Sequence, residues 1–364
     1  MKVVFIVPQL SQPRCIKRVQ VFCEYGYEVE VYGYDNGLYS RNIETYPCPV
    51  HSVAVEGRKS KLRSINRNIR LVKEASKHMK KEDLVYIFGI ELAGYYKLCG
   101  RNNAYLYEQA DLNYTKLSNN FLVSVFKKID KYLISSSYRT VLTSMGFLEY
   151  LYGAKPYPSN IVLLENRLNN ELRDFYVQKH TIDVNSIRFA FIGAVRYPRT
   201  ILTFAKVIAE HYPNHQFHFY GEGHSSPLAK ELCEKYPANL FYHGGFTNPD
   251  DLPQIYSEVD LNVVCYDPVS MNVRIAEPNK LYESVFFKVP LIVSSGTFLE
   301  RRVKEMGVGY SIDCTDEHSI QVFINSLTND EIAKCQMTME KIPCAMLFDN
   351  TRDLVSIIKT NGIS

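Results

Sequence analysis

RFAFIGAVRYPRTILTFAKV, residues 188–207, decides the fold. An apolar run of strand length closes at Gly193, a short loop carries Arg196, and Pro198 and Arg199 open an amphipathic helical pattern. The same strand, glycine, helix order recurs downstream in QFHFYG (216–221), NLFYHG (239–244), DLNVVCY (260–266) and PLIVSS (290–295). Upstream, VVFIV (3–7), EVEVYGY (28–34), LVYIF (84–88), AYLY (104–107), TVLTS (140–144) and NIVLL (160–164) form an earlier series with amphipathic stretches between them. Apolar runs alternating with helical patterns predict parallel sheets joined by crossover helices.

The two series predict an α/β protein of two facing Rossmann-like domains with a cleft between them. The domains are expected at 1–170 and 188–345, joined by a polar linker at 171–187, with a last helix at 346–364 returning to the first domain. A chain of 364 residues exceeds the size at which one core keeps growing. With 46% hydrophobic and 22% charged residues, disordered, fibrous and membrane-spanning classes are excluded. MKVVFIVPQL lacks the basic flank and cleavage site of a signal peptide, and no stretch reaches the roughly 20 apolar residues that span a bilayer. The nine cysteines are scattered singly, with neither a CxxC pair nor metal-ligand spacing, so a reduced, cytoplasmic protein is expected.

Ligands of open α/β sheets bind beyond the carboxyl ends of the strands, so the residues after each strand are the first candidates. In AEPNKLYESVFFKVPLIVSS (276–295) a helix is expected from Pro278, which puts Lys280 in its first turn. A cation there opposes the helix dipole unless an anion is bound nearby. Glu283 falls on the same face and can accept from neighbouring ribose hydroxyls. A plain Lys280 to Glu283 pair, worth about 0.2–0.5 kcal/mol, explains the spacing equally well. Arg196 and Arg199 repeat the theme at a second helix start, and an arginine fork suits a diphosphate.

These segments, with FYGEGHSSPLAKEL and FYHGGFTNPDDLPQIYSEVDLNVVCYD, stand in the order and spacing of GT-B glycosyltransferases, and the chain resembles their family four, of the bacterial capsular or exopolysaccharide type. The likeness covers most of 188–312. It continues more loosely through RVQVFCEYGYEVEVYGY, YEQADL and VLTSMGFLEYLYG. The resemblance implies transfer of a sugar from a nucleotide-diphosphate sugar, with UDP as the expected leaving group. It implies retention of anomeric configuration and an acceptor glycan, lipid-linked, in surface polysaccharide synthesis. Glu283 would bind the donor ribose, with Glu277 as the nearest further acid. Arg199 would meet the diphosphate, with Arg196 and Lys280 beside it as the catalytic cations. Gly193 would let backbone approach the phosphates, and Gly221 and Gly223 would line the donor pocket.

The family's second glutamate falls at Ile275, and its first-domain histidine is absent from IFGIELAG, where Glu91 is the only ionisable residue. Those departures keep two alternatives open: a GT-B epimerase or hydrolase, and a catalytically silent sugar-nucleotide-binding subunit. No Asp-x-Asp occurs, so a metal-independent enzyme without cofactor is expected. On the acceptor side, Glu108 and Asp111 of YEQADL are candidates for the acceptor sugar. Arg14, Lys17 and Arg18, which follow the first strand, are candidates for acceptor phosphate.

Residues 1–183 carry 26 Lys+Arg against 18 Asp+Glu, a net +8, whereas the remainder is net −5. The excess concentrates in RKSKLRSINRNIRLVKEASKHMKK (58–81), with ten cations and one acid. Leu62, Ile65, Ile69, Val72 and Met79 recur there at helical spacing. Two readings follow, a crossover helix with a wet basic face or docking on an anionic membrane surface at the inner face of the cell membrane. Without interleaved aromatics, nucleic acid is not a predicted partner. No Gly-x-Gly-x-x-Gly follows the first strand, which argues against a dinucleotide-dependent dehydrogenase.

Overall fold

The structure is a computed structural model that describes residues 1–35, 45–54, 61–175 and 181–361. Parts of three expectations lie outside them: residues 58–60 of the basic segment, 176–180 of the linker and 362–364 of the last helix.

Thirteen strands occur among the described residues. They are β1 (Lys2–Val7), β2 (Glu28–Asp35), β3 (Val50–Ala54), β4 (Leu84–Phe88), β5 (Tyr105–Gln109), β6 (Arg139–Leu142), β7 (Ile161–Leu163), β8 (Arg188–Ile192), β9 (Gln216–Tyr220), β10 (Leu240–Gly244), β11 (Leu261–Val264), β12 (Leu291–Ser294) and β13 (Gly309–Ile312). They form two parallel sheets, ordered β3-β2-β1-β4-β5-β6-β7 and β10-β9-β8-β11-β12-β13. The α/β class of two Rossmann-like domains is therefore as the sequence predicts.

Both sheets read third, second, first, fourth, fifth, sixth. Each reverses direction beside its first strand, between β1 and β4 and between β8 and β11, and such a reversal is where open α/β sheets bind ligands. The unbroken apolar runs have a simple cause. Phe189 and Phe191 of β8 enter one buried cluster while Ala190 and Ile192 enter another, so both faces of the sheet are covered. In the first sheet all of Val3 to Val7 are fully buried.

The chain divides into one unit of Met1–Glu165 with Asn350–Ser364 and a second of Asn166–Asp349. The linker expected at 171–187 thus falls within the second unit, and so do residues 166–170, expected in the first domain. Leu168 there forms a parallel bridge with Phe348, and Leu172 is buried. In the first unit the last helix, Thr351–Asn361, lies against the helix Pro13–Glu24. Lys359 donates to the Tyr25 carbonyl at 2.8 Å and Arg352 pairs with Glu24 at 3.1 Å.

Three sequence expectations are corrected. Cys265 and Cys314, just past β11 and β13, are joined as a disulfide with Cα atoms 6.2 Å apart, so not every cysteine is free. The partners are 49 residues apart in sequence and meet only because both strands end at the same edge of the sheet. The helix expected from Pro278 begins at Lys280, with Asn279 as its cap, because Pro278 stands before the cap rather than inside the first turn. In the basic segment the helix Lys61–Ala75 buries Asn68, Leu71, Val72 and Ala75, while Ile65 is exposed and Met79 lies beyond the helix end. The buried face keeps Val72 of the expected stripe and adds Asn68, Leu71 and Ala75, with Asn68 accepting from the Tyr34 hydroxyl at 3.0 Å.

Candidate functional site

At the carboxyl edge of the second sheet, three strand ends are laced together by glycine. Gly193 follows β8 and donates to the Tyr220 carbonyl at 2.8 Å, and Gly221 follows β9 and donates to Gly244 at 2.6 Å. Gly221 has φ 128°, and a Cβ on it would stand 1.9 Å from the Gly193 oxygen. A Cβ on Gly223 would stand 2.3 Å from the Val195 oxygen. Both contacts are far below any tolerated approach, so these glycines let one loop lie on another. Of the loop they support, Ala194 and Arg196 are exposed, and among the described residues their backbone amides donate to no protein acceptor.

Lys280 lies against this loop, its Cε 3.4 Å from where a Cβ on Gly193 would be. Lys280 and Glu283 are both buried and paired at 2.6 Å. The plain pair weighed from spacing is therefore made, but out of water, where one partner's loss leaves an uncompensated charge. Glu283 also accepts from the Tyr256 hydroxyl at 3.0 Å and the Asn279 amide at 2.5 Å. A carboxylate has about four lone-pair sites, so one remains for an incoming hydroxyl. Burial first, then the charge of Glu283, holds the Tyr256 phenol well above its ordinary pKa, and it stays a donor. Asn262, fully buried, donates to Tyr256 at 3.2 Å and to Ser284 at 2.8 Å.

The arginines stand outside this buried group. Pro198–Leu202 is a π turn that runs into the helix Thr203–His211. Arg199 on that turn is exposed and grips Asp267 with two bonds of 3.1 Å. Arg196 is exposed and in no ion pair among the described residues. Tyr266 relates these groups. It stacks on Tyr197 at 4.7 Å, and after burial its phenol feels Tyr197, Glu283 and Arg196 in turn. The structure thus gathers Gly193, Gly221, Gly223, Arg196, Lys280 and Glu283 at one sheet edge. Glu277 is committed elsewhere, buried, paired with Arg302 at 3.2 Å and accepting from Tyr282. Tyr256, Asn279, Asn262 and Asp267 were not singled out from sequence; only Asp267, the first polar residue after a strand, carried a signal.

In the first unit, Glu108 at the end of β5 is buried between two arginines. Arg18 approaches it at 3.2 Å from one side and Arg14 at 3.2 Å from the other, and Tyr86 donates to it. Arg18, itself only 1% exposed, also donates to Thr351. The expectation that Arg18 meets acceptor phosphate is corrected, since this guanidinium is spent on Glu108 and the start of the last helix. A cavity of about 280 Å³ lies beside the cluster, with Arg14, Glu91, Glu108 and Asp111 in its wall and Lys17 outside it. Arg67 enters the same wall from the basic helix, its guanidinium 4.3 Å from the centre of the Tyr34 ring.

Among the described residues no three His, Cys, Asp or Glu side chains are grouped to hold a metal ion. No helix among them is long and apolar enough to cross a membrane.

Comparison of the sequence with protein-family models and with curated proteins finds no match. Solved structures do match over whole chains. A sucrose-phosphate synthase from Thermosynechococcus elongatus superposes with TM-score 0.73 at 13% identity, covering 99% of each chain. HepE of Anabaena, in complex with UDP and glucose, gives 0.71 at 14% over 99% of each. The lipopolysaccharide outer core galactosyltransferase WaaB gives 0.62 at 12% over all of both chains. At such identities the likeness is one of architecture, and the chain has the GT-B fold of two Rossmann-like domains.

Proposed function

We propose that the protein is a glycosyltransferase that moves a sugar from a nucleotide-diphosphate sugar, UDP-linked, to a glycan acceptor. The observation that carries the reading is the buried Lys280–Glu283 pair set against the glycine-laced loop after β8, with unused loop amides and two exposed arginines beside it. Loop amides and cations suit a diphosphate, and the open lone pair of Glu283 suits a ribose hydroxyl. A likeness to HepE in complex with UDP and glucose and to an E. coli protein bound with UDP-2-fluoro glucose supports that class of ligand.

The chemistry asked of these groups is electrostatic. As the bond from the sugar's anomeric carbon to the diphosphate breaks, charge builds on the leaving oxygens, and Arg199, Arg196 and Lys280 stabilise it. The acceptor oxygen bonds the same carbon on the same face, and its proton passes to the leaving diphosphate. Retention follows, with neither a protein nucleophile nor a metal. Acceptor recognition is assigned to the first unit's cavity, where Glu91 and Asp111 are exposed acceptors for sugar hydroxyls and Arg14 offers a cation. A lipid-linked acceptor of surface polysaccharide and attachment at the inner face of the cell membrane complete the reading. The cations of 58–81 would supply attraction to that surface.

Nucleotide release from a panel of UDP-sugars, with and without lipid-linked glycan acceptors, tests this reading. Release that requires acceptor and survives EDTA is expected. Release without acceptor would mark a hydrolase, and binding without release a silent subunit.

A further inference from the structure

The helix Asn120–Ser136 of the first unit turns one side to the protein, where Asp130, Leu133 and Ile134 are buried. Asp130 anchors that side by accepting from Tyr107 at 2.7 Å and Tyr114 at 3.0 Å. At about 100° per residue, Phe121, Val125, Lys128, Ile129 and Tyr132 share the opposite side. Among the described residues this side is largely open: Phe121 is 74% exposed, Tyr132 59%, Leu122 41% and Ile129 38%, and Leu117, just ahead of the helix, is 40% exposed. Soluble surfaces scatter such residues singly, and a contiguous group marks a contact.

Charge says what kind of contact. Asp130 is the only acid between Asp111 and Glu149, and it is buried, whereas Lys116, Lys128 and Lys131 flank the apolar group. Lys131 leans over the Tyr152 ring at 5.0 Å along the border of the face, whereas Lys127 lies on the protein side and donates to the Tyr150 carbonyl at 2.5 Å. A second copy meeting this face across a two-fold axis would set lysine against lysine with no carboxylate to answer. An anionic bilayer answers both features, acyl chains taking the apolar side chains and lipid phosphates the lysines. The basic helix Lys61–Ala75 is a poorer anchor, because Leu71, Val72 and Ala75 are turned inward and Ile65 is the exposed apolar residue left among its described side chains.

We propose that the exposed face of Asn120–Ser136 is a peripheral docking surface for an anionic lipid bilayer, with Phe121 and Leu122 seated at the boundary between headgroups and acyl chains. The proposal stands whichever sugar is moved, since no residue of the nucleotide site takes part.

The test is co-sedimentation of the full-length protein with vesicles of phosphatidylcholine and with vesicles of phosphatidylcholine mixed with phosphatidylglycerol. Binding to the mixed vesicles alone is expected. Replacing Phe121 and Leu122 together by serine, both on the surface, should weaken it roughly tenfold with the melting temperature unchanged. Lys128→Ser and Lys131→Ser should each cost roughly fivefold. Ile65→Ser, on the other helix, should bind like the parent. Parent protein that ignores anionic vesicles would overturn the proposal. So would a Phe121, Leu122 double variant that binds them undiminished, or one that instead abolishes a dimer seen by sedimentation.

Discussion

The two sheets share one strand order, yet their carboxyl edges are built for opposite ends. In the first unit, Glu108 at the end of β5 is held between Arg14 and Arg18, and Arg18 is spent on Glu108 and Thr351. In the second, glycines follow β8 and β9, Lys280 and Glu283 pair beneath them, and Arg196 and Arg199 stand in solvent. The same topology thus forms an internal charge lock in one unit and, on the proposed function, an anion-binding edge in the other. In the second unit the absent Cβ of Gly221 and Gly223 lets the loops after β8 and β9 lie on one another, a contact the first unit fills with paired charges instead.

The sharpest way to break that contrast is to cut the lock. Arg18→Ala leaves Glu108 buried with one arginine and frees the start of the last helix. Stability should fall by about 3–5 kcal/mol in denaturant titration, while nucleotide affinity of the folded protein is unchanged. A loss of nucleotide binding in folded protein would show that the first edge is no mere lock.

A second comparison separates the cations of the second edge. Arg199 has an exposed side chain, and its pair with Asp267 is worth no more than about 1 kcal/mol. Arg199→Ala should therefore leave the melting temperature nearly unchanged while lowering turnover on the order of a hundredfold. Lys280→Ala should lower both, since it strands Glu283 in the interior. Turnover unaffected by Arg199→Ala would remove that arginine from the site.

The smallest expected effect concerns pH. On the second sheet, Nδ1 of His218 and Nε2 of His243 are 2.9 Å apart, and His243 stacks on Tyr220 at 4.1 Å. Burial first, then His243 and Arg188, push His218 down to about 4, against weaker pulls from Glu258 and Asp260. A histidine depressed in the folded state is protonated more readily in the unfolded chain. Stability should therefore be full above about pH 6.5 and decline as pH falls toward 4, by roughly 1–2 kcal/mol given partial solvent access. His218→Gln should flatten that slope, and an unchanged slope would place its cause elsewhere.

Strands buried on both faces were legible, because an unbroken run such as RFAFI has no other cheap place to lie. β3 (VHSVA) and β13 (GYSI) were not, since each is an edge strand that is polar or small and only partly covered. Gly193, Gly221, Lys280 and Glu283 could be read because strand ends and helix starts are local features. The lock could not, since Arg18 meets Glu108 across 90 residues and Thr351 across 333. The basic segment misled for a related reason. Periodicity fixes which residues share a face, but the buried face also carries Asn68, which finds Tyr34 across 34 residues, a contact not legible in the sequence.

On the proposed function, the glycine-laced edge of the second sheet holds a nucleoside diphosphate. A crystal structure with UDP tests it directly. Diphosphate oxygens are expected on the loop after Gly193, within hydrogen-bond reach of Lys280 or an arginine at 196 or 199, and a ribose hydroxyl on Glu283. UDP bound elsewhere, or no UDP at saturating concentration, would contradict it.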